Sequence, residues 1–593
     1  MAGRTIDIDE VFGTPERLAE IISNFYDEWN AARRTWISEK KELRNYIFAT
    51  DTTSTANKLL PWKNSTTTPK LTQIRDNLHA NYMATLFPND DWLSWEGAEE
   101  EDETDVKKEA ILNYMKNKIQ HGGFETQVSK LVYDFIDNGN VFADTEFVDT
   151  TTENSATGEV YPGYVGPLVN RISPHDIVFN PLVSSFERSP KIIRKIMTLG
   201  DVAVMMDEQP NSGYLQEVFD SIRHNRDHLT AISESDLDKS DGFKMDGFGT
   251  FLEYYNSGYV EILEFHGDIY DVQEEKLLKN YIVTVVDRRM ILRKVPNPSW
   301  RQHSIRHAGW RLRPDNLYAM GPLDNLVGMQ YRIDHLENLK ADVFDFIAHP
   351  VQKVRGYVED YEYEPGGKIF LGDDGDVEFM RPDTTALNAD LQIATLEARM
   401  EELAGAPRQA MGIRTPGEKT AFEVQTLDNA SSRTFMNKVN YFEKEILEKI
   451  LNDMLEQARR NMDSQDTIRV LDDELGAVVF STITKEDLNA NGRLRPIGSR
   501  HFAQKANSYQ NLLSLMNSAV GQDPDVKVHI SGLKLAQMAE EVLGLTKFEL
   551  VVPNIRVVEA AETQRLLNTI GQQIEEEAAT PGPEEQAIAE AGV

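Results

Sequence analysis

Between Pro15 and Tyr46 the residues Leu18, Ile21, Ile22, Phe25, Trp29 and Trp36 recur near helical spacing, which predicts an amphipathic helix closed by the polar stretch ATDTTSTANK. A second helix is predicted from about Pro69 to Leu86, with Pro88 as its stop. The acidic run Glu99 to Asp105 predicts a solvated helix start, its charge placed at the positive end of the helix dipole. From Val141 to Phe179 apolar and polar residues alternate and valine, threonine and aromatics dominate, as in strands. A second strand set covers Tyr259 to Val272 and Tyr281 to Arg293, with turns near HGD and DRR. The polar, glycine-bearing stretch Arg223 to Gly249 between the sets predicts a long surface loop.

The middle of the chain carries the most regular pattern. Gly321 and Pro322 open a helix whose apolar positions include Leu323, Leu326, Ile333, Leu336, Leu339, Val343 and Ile347, and Pro350 closes it. At 1.5 Å per residue it would be a rod of roughly 40 Å. Short alternating segments with turns at Gly366 and Gly372 follow and predict a small β insertion. A returning helix, about Thr385 to Ala404, carries Leu387, Leu391, Leu396, Met400 and Leu403. After the loop GIRTPGEKT, apolar spacing from about Thr420 to Asn461 predicts one helix of about 60 Å, far above the globular mean. Short strands around Ile468 to Ile483 precede helices near His501 to Ala519 and Ile530 to Leu543, and the acidic tail EEEAATPGPEEQAIAEAGV lacks core residues and predicts disorder.

A chain of 593 residues is several times the usual domain size, so three to five structural regions are expected. Composition narrows the chemistry. The absence of cysteine excludes disulfides, thiolate zinc sites and cysteine nucleophiles. MAGRTIDIDEVFG lacks the basic and apolar regions of a secretory signal, and no apolar run approaches 18 residues, so a soluble, non-secreted protein with no membrane segment is expected. With 97 acidic against 62 basic residues the net charge is −35, the opposite of a protein that grips nucleic acid by neutralising phosphates. A wall that merely lets DNA pass would tolerate that balance.

Motifs for catalysis are missing or out of register. GIRTPGEKT, Gly412 to Thr420, approaches the G-x-x-x-x-G-K-[ST] loop, but Glu418 separates Gly417 from Lys419 and puts a carboxylate where phosphates would sit. The histidines in HPVQ, ISPHDIVF and HFAQ have no paired metal-ligand spacing, and LGDDGDVEF fails the EF-hand spacing and reads as a hairpin turn. No G-x-S-x-G elbow occurs. The expectation is a non-enzyme with no cofactor and no metal.

The order helix, β tip, antiparallel helix, loop, very long helix resembles the stem, clip, second stem helix, tunnel loop and wing–crown helix of tailed-bacteriophage portal proteins, the head-to-tail connectors. LPWKNSTTTPKLTQIRDNL, ANYMATLFP, RISPHDIVFNPLVSSFERSP, GPLDNLVGMQYRIDHLENLKADVFDFIAHP and EKTAFEVQTL carry the likeness, which covers about residues 15–560 and is greatest to short-tailed phages. It implies an α+β ring subunit with a mixed α/β wing (1–320), stem helices (321–350 and 385–405) around a β clip (351–384), a tunnel loop (406–419), a long helix (420–463), wing strands (464–500), a helical crown (501–577) and an acidic tail (578–593).

The same resemblance implies a homododecamer at one vertex of the viral capsid, found in the virion and, during assembly, in the host cytoplasm. Its expected partners are terminase, head-to-tail adaptor or tail proteins, major capsid and scaffolding proteins, and the double-stranded DNA that crosses its channel during genome packaging and ejection. A neck adaptor or other ring-forming tail structural protein is the alternative, although adaptors are usually much shorter. On the first stem helix Asp334, Glu337, Asp342 and Asp345 are candidates to line the channel, or equally a solvated outer face. In the loop Arg408, Arg414 and Lys419 are candidates to touch passing phosphates, or equally to cap helix ends with Gly405 and Gly412 as turn residues.

Overall fold

A computed structural model of the chain describes residues 15–48, 66–153, 160–224, 259–297, 305–405 and 435–497, short gaps within these spans aside, and residues 534 and 536 beyond them. By internal packing the chain divides into two units, residues 1–468 with 482–498 and residues 469–481 with 499–593. The first holds nearly all described residues and is α+β. Apart from residues 534 and 536, the predicted helices of 501–543 lie outside the described residues, as do the tail and the loop GIRTPGEKT.

The stripe predicted from Pro15 to Tyr46 folds as two helices, α1 (Pro15–Ala32) and α2 (Arg34–Phe48). Arg33 breaks it. Its guanidinium is buried and donates to the carbonyls of Pro174 (2.9 Å), His175 (2.5 Å) and Ile177 (2.8 Å), donors that water cannot satisfy there. Next come α3 (Lys70–Leu86), β1 (Leu93–Gly97), α4 (Asp105–His121) and α5 (Phe124–Asp137). The acidic run announces only the start of α4. Gly123, at φ 64°, supplies the left-handed residue between α4 and α5.

The strands follow as β2 (Asn140–Asp149), β3 (Thr152–Glu153), β4 (Val160–Tyr161), β5 (Val165–Ile172), β6 (Ile177–Phe179) and β7 (Lys191–Thr198). After α6 (Leu199–Glu208) and α7 (Gln216–His224) come β8 (Tyr259–Asp271), β9 (Lys276–Val286), β10 (Met290–Pro296), β11 (Arg306–Gly309), β12 (Arg311–Arg313) and β13 (Asn316–Met320). The main sheet runs β10-β9-β8-β7-β6, all antiparallel, and a three-stranded sheet runs β11-β2-β5. DRR is a turn, with Asp287 and Arg288 at φ 48° and 60°. HGD is instead a bulge inside β8, where the register shifts between Gly267 and Ile269.

Both faces of the main sheet are covered, so apolar residues at both alternating positions of β8 and β9 meet a core. Leu18, Ile22 and Tyr26 of α1 pack on Leu263, Phe265, Val283 and Val285. Val202 and Ile222 of α6 and α7 pack with Val260, Ile262 and Val286. A third cluster joins Trp36 and Ile37 of α2 to Phe142, Phe179, Phe186 and Tyr318.

The middle of the chain forms an arm: a 3-10 turn (Asp324–Leu326), α8 (Val327–Ala348), the hairpin β14 (Gln352–Arg355) with β15 (Asp376–Phe379), a second 3-10 turn (Thr384–Ala389) and α9 (Asp390–Ala404). The predicted order of helix, β insertion and returning helix is present. Of the predicted long helix, residues 435–461 are described as α10, which packs on β2 and β5. A π turn at Glu443–Leu447 lets it bury adjacent pairs, Ile446 with Leu447, Ile450 with Leu451 and Met454 with Leu455. Arg306 clamps β11 to α10 through Asp453 at 2.6 and 2.8 Å. The chain continues through the hairpin β16 (Gln465–Asp472) and β17 (Ala477–Thr484), α11 (Lys485–Leu488), and β18 (Gly492–Pro496), which pairs with β1.

Candidate interaction arm

The base of the arm is held by a ladder of side chains that replaces a β-strand. Gln330, Asp334 and Asn338 lie four residues apart on one face of α8 and are almost completely buried. They face the run 66–69 that leads into α3. Thr66 donates its N–H to Asn338 Oδ1 (2.8 Å) and accepts from Asn338 Nδ2 (3.0 Å). Thr68 donates to Asp334 Oδ1 (2.9 Å), while its carbonyl accepts from Gln330 Nε2 (2.5 Å). Leu71 N–H reaches Gln330 Oε1 at 3.2 Å. Backbone polar groups at the edge of a core need partners, and here the buried side chains of a helix supply them.

Ion pairs fix the surrounding elements. Lys70, at the start of α3, meets Glu401 of α9 at 2.6 Å, both side chains buried. Lys40 of α2 pairs with Asp324, whose other oxygen accepts the Gly321 N–H at 2.8 Å. Burial pulls the Lys40 ammonium down against that partner. Arg75 of α3 grips Asp137 of α5 at 2.7 and 2.8 Å and lies 4.1 Å from the Tyr133 ring centre.

Asp334 therefore does not line a channel or an outer face, because the body covers it. Burial pushes its carboxyl up to about 6, against the hydrogen bonds from Thr68 and Gln330. Its Oδ2 has no hydrogen-bond partner among the described residues. The Tyr46 hydroxyl is pushed up to about 12 by burial and then by Asp334. The other three carboxylates differ from it and from one another. Glu337 is half-buried and pairs with Lys340 at 3.4 Å, Asp342 is half-buried, and Asp345 is exposed where α8 leaves the body. Lys340 also pairs with Asp390 and so joins the two helices of the arm.

Beyond this base the arm is apolar and open. Phe344, Phe346 and Ile347 of α8, Val351, Val354, Tyr357, Phe370, Leu371, Phe379 and Met380 around the hairpin, and Leu391 and Leu403 of α9 are exposed. They make up more than half of the exposed large apolar side chains among the described residues, so the exposure is concentrated rather than scattered. LGDDGDVEF turns at Asp373 and Asp374 into β15, as a hairpin reading expects. Gly356, at φ 76°, is required by that turn, since a Cβ there would lie 2.0 Å from the Asp374 carbonyl oxygen.

Gly405 ends α9 in the left-handed conformation, φ 73°, the turn role expected of it. Arg408, Arg414 and Lys419 lie outside the described residues. Among the described residues no group of three or more histidine, aspartate or glutamate side chains is placed to hold a metal ion, and no helix is long and apolar enough to cross a membrane. The ladder escaped the sequence reading, although one signal was present: Gln330, Asp334 and Asn338 interrupt at helical spacing a face that also buries Ile333 and Leu336. No protein-family model matches the chain, and no curated protein matches its sequence.

Proposed function

We propose that the chain is the subunit of a portal-type ring: a structural conduit for double-stranded DNA at a phage capsid vertex, acting without chemistry of its own. In this reading α8 and α9 are the stem, the β14–β15 hairpin is the clip, and residues 406–434 contain the tunnel loop. One observation carries it. An arm anchored at its base by hydrogen bonds from buried side chains and by ion pairs exposes a concentrated set of apolar side chains beyond it, and such a surface is soluble only when other copies or partners cover it. A helix pair repeated around an axis buries that surface symmetrically and leaves the hairpins at one end to receive a motor and later tail proteins.

Native mass spectrometry with electron-microscopy class averages tests this. A ring of twelve copies of 67.3 kDa, about 810 kDa, is the expected species. Monomer alone at micromolar concentration, with no ring in procapsids, would sink the proposal. A ring lacking DNA passage and built into a tail would support the neck-component reading instead.

A further inference from the structure

Across β7, β8, β9 and β10 of the main sheet, Ile193, Glu264, Thr284 and Arg293 stand directly opposite one another in register, so their side chains share one face. The bulge at Leu292 precedes Arg293 and leaves its own pairing with Thr284 intact. His266, two residues after Glu264 on β8, joins the same face. The row is a polar seam between two apolar clusters: Ile193 packs with Phe142 and Phe186 at one end, and Leu292, beside Arg293, packs with Val202 and Ile222 at the other.

Glu264 is satisfied there, accepting from Lys195 Nζ and from His266 Nε2, both at 2.8 Å. Three other polar atoms are not. His266 Nδ1, Thr284 Oγ1 and Arg293 Nε are buried and have no hydrogen-bond partner among the described residues, and the three residues are only 5%, 1% and 9% exposed. Arg293 uses Nη1 to donate to the Tyr214 hydroxyl at 3.1 Å, which leaves Nε unmet. Their chemistry selects a ligand. Arg293 Nε can only donate, while Thr284 Oγ1 can donate and accept. His266 Nε2 faces a carboxylate oxygen, which only accepts, so Nε2 carries the proton and Nδ1 of the neutral ring is an acceptor. A simple anion cannot donate to that nitrogen, and a metal ion would be repelled by the Arg293 guanidinium. Water can do both. Lys195, bonded to Glu264 and with its side chain 42% exposed, opens one end of the seam to solvent.

We propose that this seam is a binding site for resident water, which accepts from Arg293 Nε and Thr284 Oγ1 and donates to His266 Nδ1. Buried water typically satisfies about three such groups, and each group left unmet would destabilise the sheet. The inference is independent of the ring reading.

Two measurements on the full chain test it. An electron-microscopy or crystallographic map fine enough to show ordered water should place density within hydrogen-bond distance of at least two of the three atoms; a map without it would overturn the site. Thr284→Val keeps the shape of the side chain and removes the hydroxyl. If Oγ1 holds water, T284V should shift the unfolding equilibrium about fivefold toward the unfolded chain and lower the urea midpoint, the loss of about one net hydrogen bond. If Oγ1 is merely unpaired, removing it should leave the midpoint unchanged or raise it, and either result would overturn the inference. T284S, which keeps the hydroxyl, should keep the density. Replacing chloride by phosphate at constant ionic strength should move the melting temperatures of wild type and R293Q alike; a rise confined to wild type would overturn the water assignment in favour of an anion.

Discussion

The Asp334 carboxyl sits at the base of the arm with one oxygen accepting from Thr68 and Gln330 and the other without a hydrogen-bond partner among the described residues. Its folded pKa of about 6 lies above the unfolded value of about 3.9, so the folded protein binds this proton more tightly. The stabilisation is full below about pH 4 and is lost as pH rises through 6. Wild type should therefore lose on the order of 2 kcal/mol relative to D334N between pH 4 and 7, measured by urea midpoints; a gain over that window would contradict the assignment. Asp334→Ala orphans the Thr68 N–H and should cost about 1–3 kcal/mol at any pH. Lys70 and Glu401 make a sharper case. Lys70→Met or Glu401→Leu alone strands a buried charge and should cost about 3–5 kcal/mol, while K70M/E401L should recover most of it in a double-mutant cycle.

At the scale of elements, the arm divides into an anchored base and a tip that adds nothing to the described core clusters. Helices α8 and α9 are tied to α2 and α3 by the ladder and the ion pairs, whereas the hairpin's apolar side chains are exposed. Replacing residues 351–384 by a short glycine–serine turn should leave the circular dichroism and melting temperature of the body unchanged, because a tight antiparallel helix connection is sterically easy. Under the ring proposal the shortened protein should still form rings while motor docking fails. A lower melting temperature would mean that the hairpin supports the core after all.

For the whole molecule, what matters is the apolar surface left uncovered beyond the base of the arm. Phe344→Asp with Ile347→Asp changes two exposed side chains, so the single chain should keep its fold and melting temperature. Assembly should fail, because each copy would carry two charges into an apolar contact. Native mass spectrometry reads the outcome directly: rings at wild-type abundance from the double variant would show that this face of α8 is not the one covered. Association through apolar surface should also survive high salt, which screens exposed charges but leaves apolar burial in place.

The sequence alone determined the alternation of helix and strand, because apolar spacing records which side of each element meets a core. It therefore announced β6, β8, β9 and β10 of the main sheet, though not β7, together with the helix–hairpin–helix order of the arm and the buried stripe of Val439, Phe442, Ile446, Ile450, Met454 and Ala458 on α10. It could not show which polar residues go inside. Asp334 and Asp345 lie on nearly the same side of α8 by helical phase, yet one is buried and the other exposed, because the run 66–69 covers only the base of that helix. The break at Arg33 and the bulge at Gly267 likewise answer to distant chain: three carbonyls of the 174–177 turn in the first case, Pro190 pressed 2.7 Å from where a Cβ would stand in the second. Such partners lie a hundred or more residues away, or on a neighbouring strand. Periodicity, a property of local text, carries no record of them; the tertiary fold decided them by bringing unsatisfied donors and acceptors together where water could not reach.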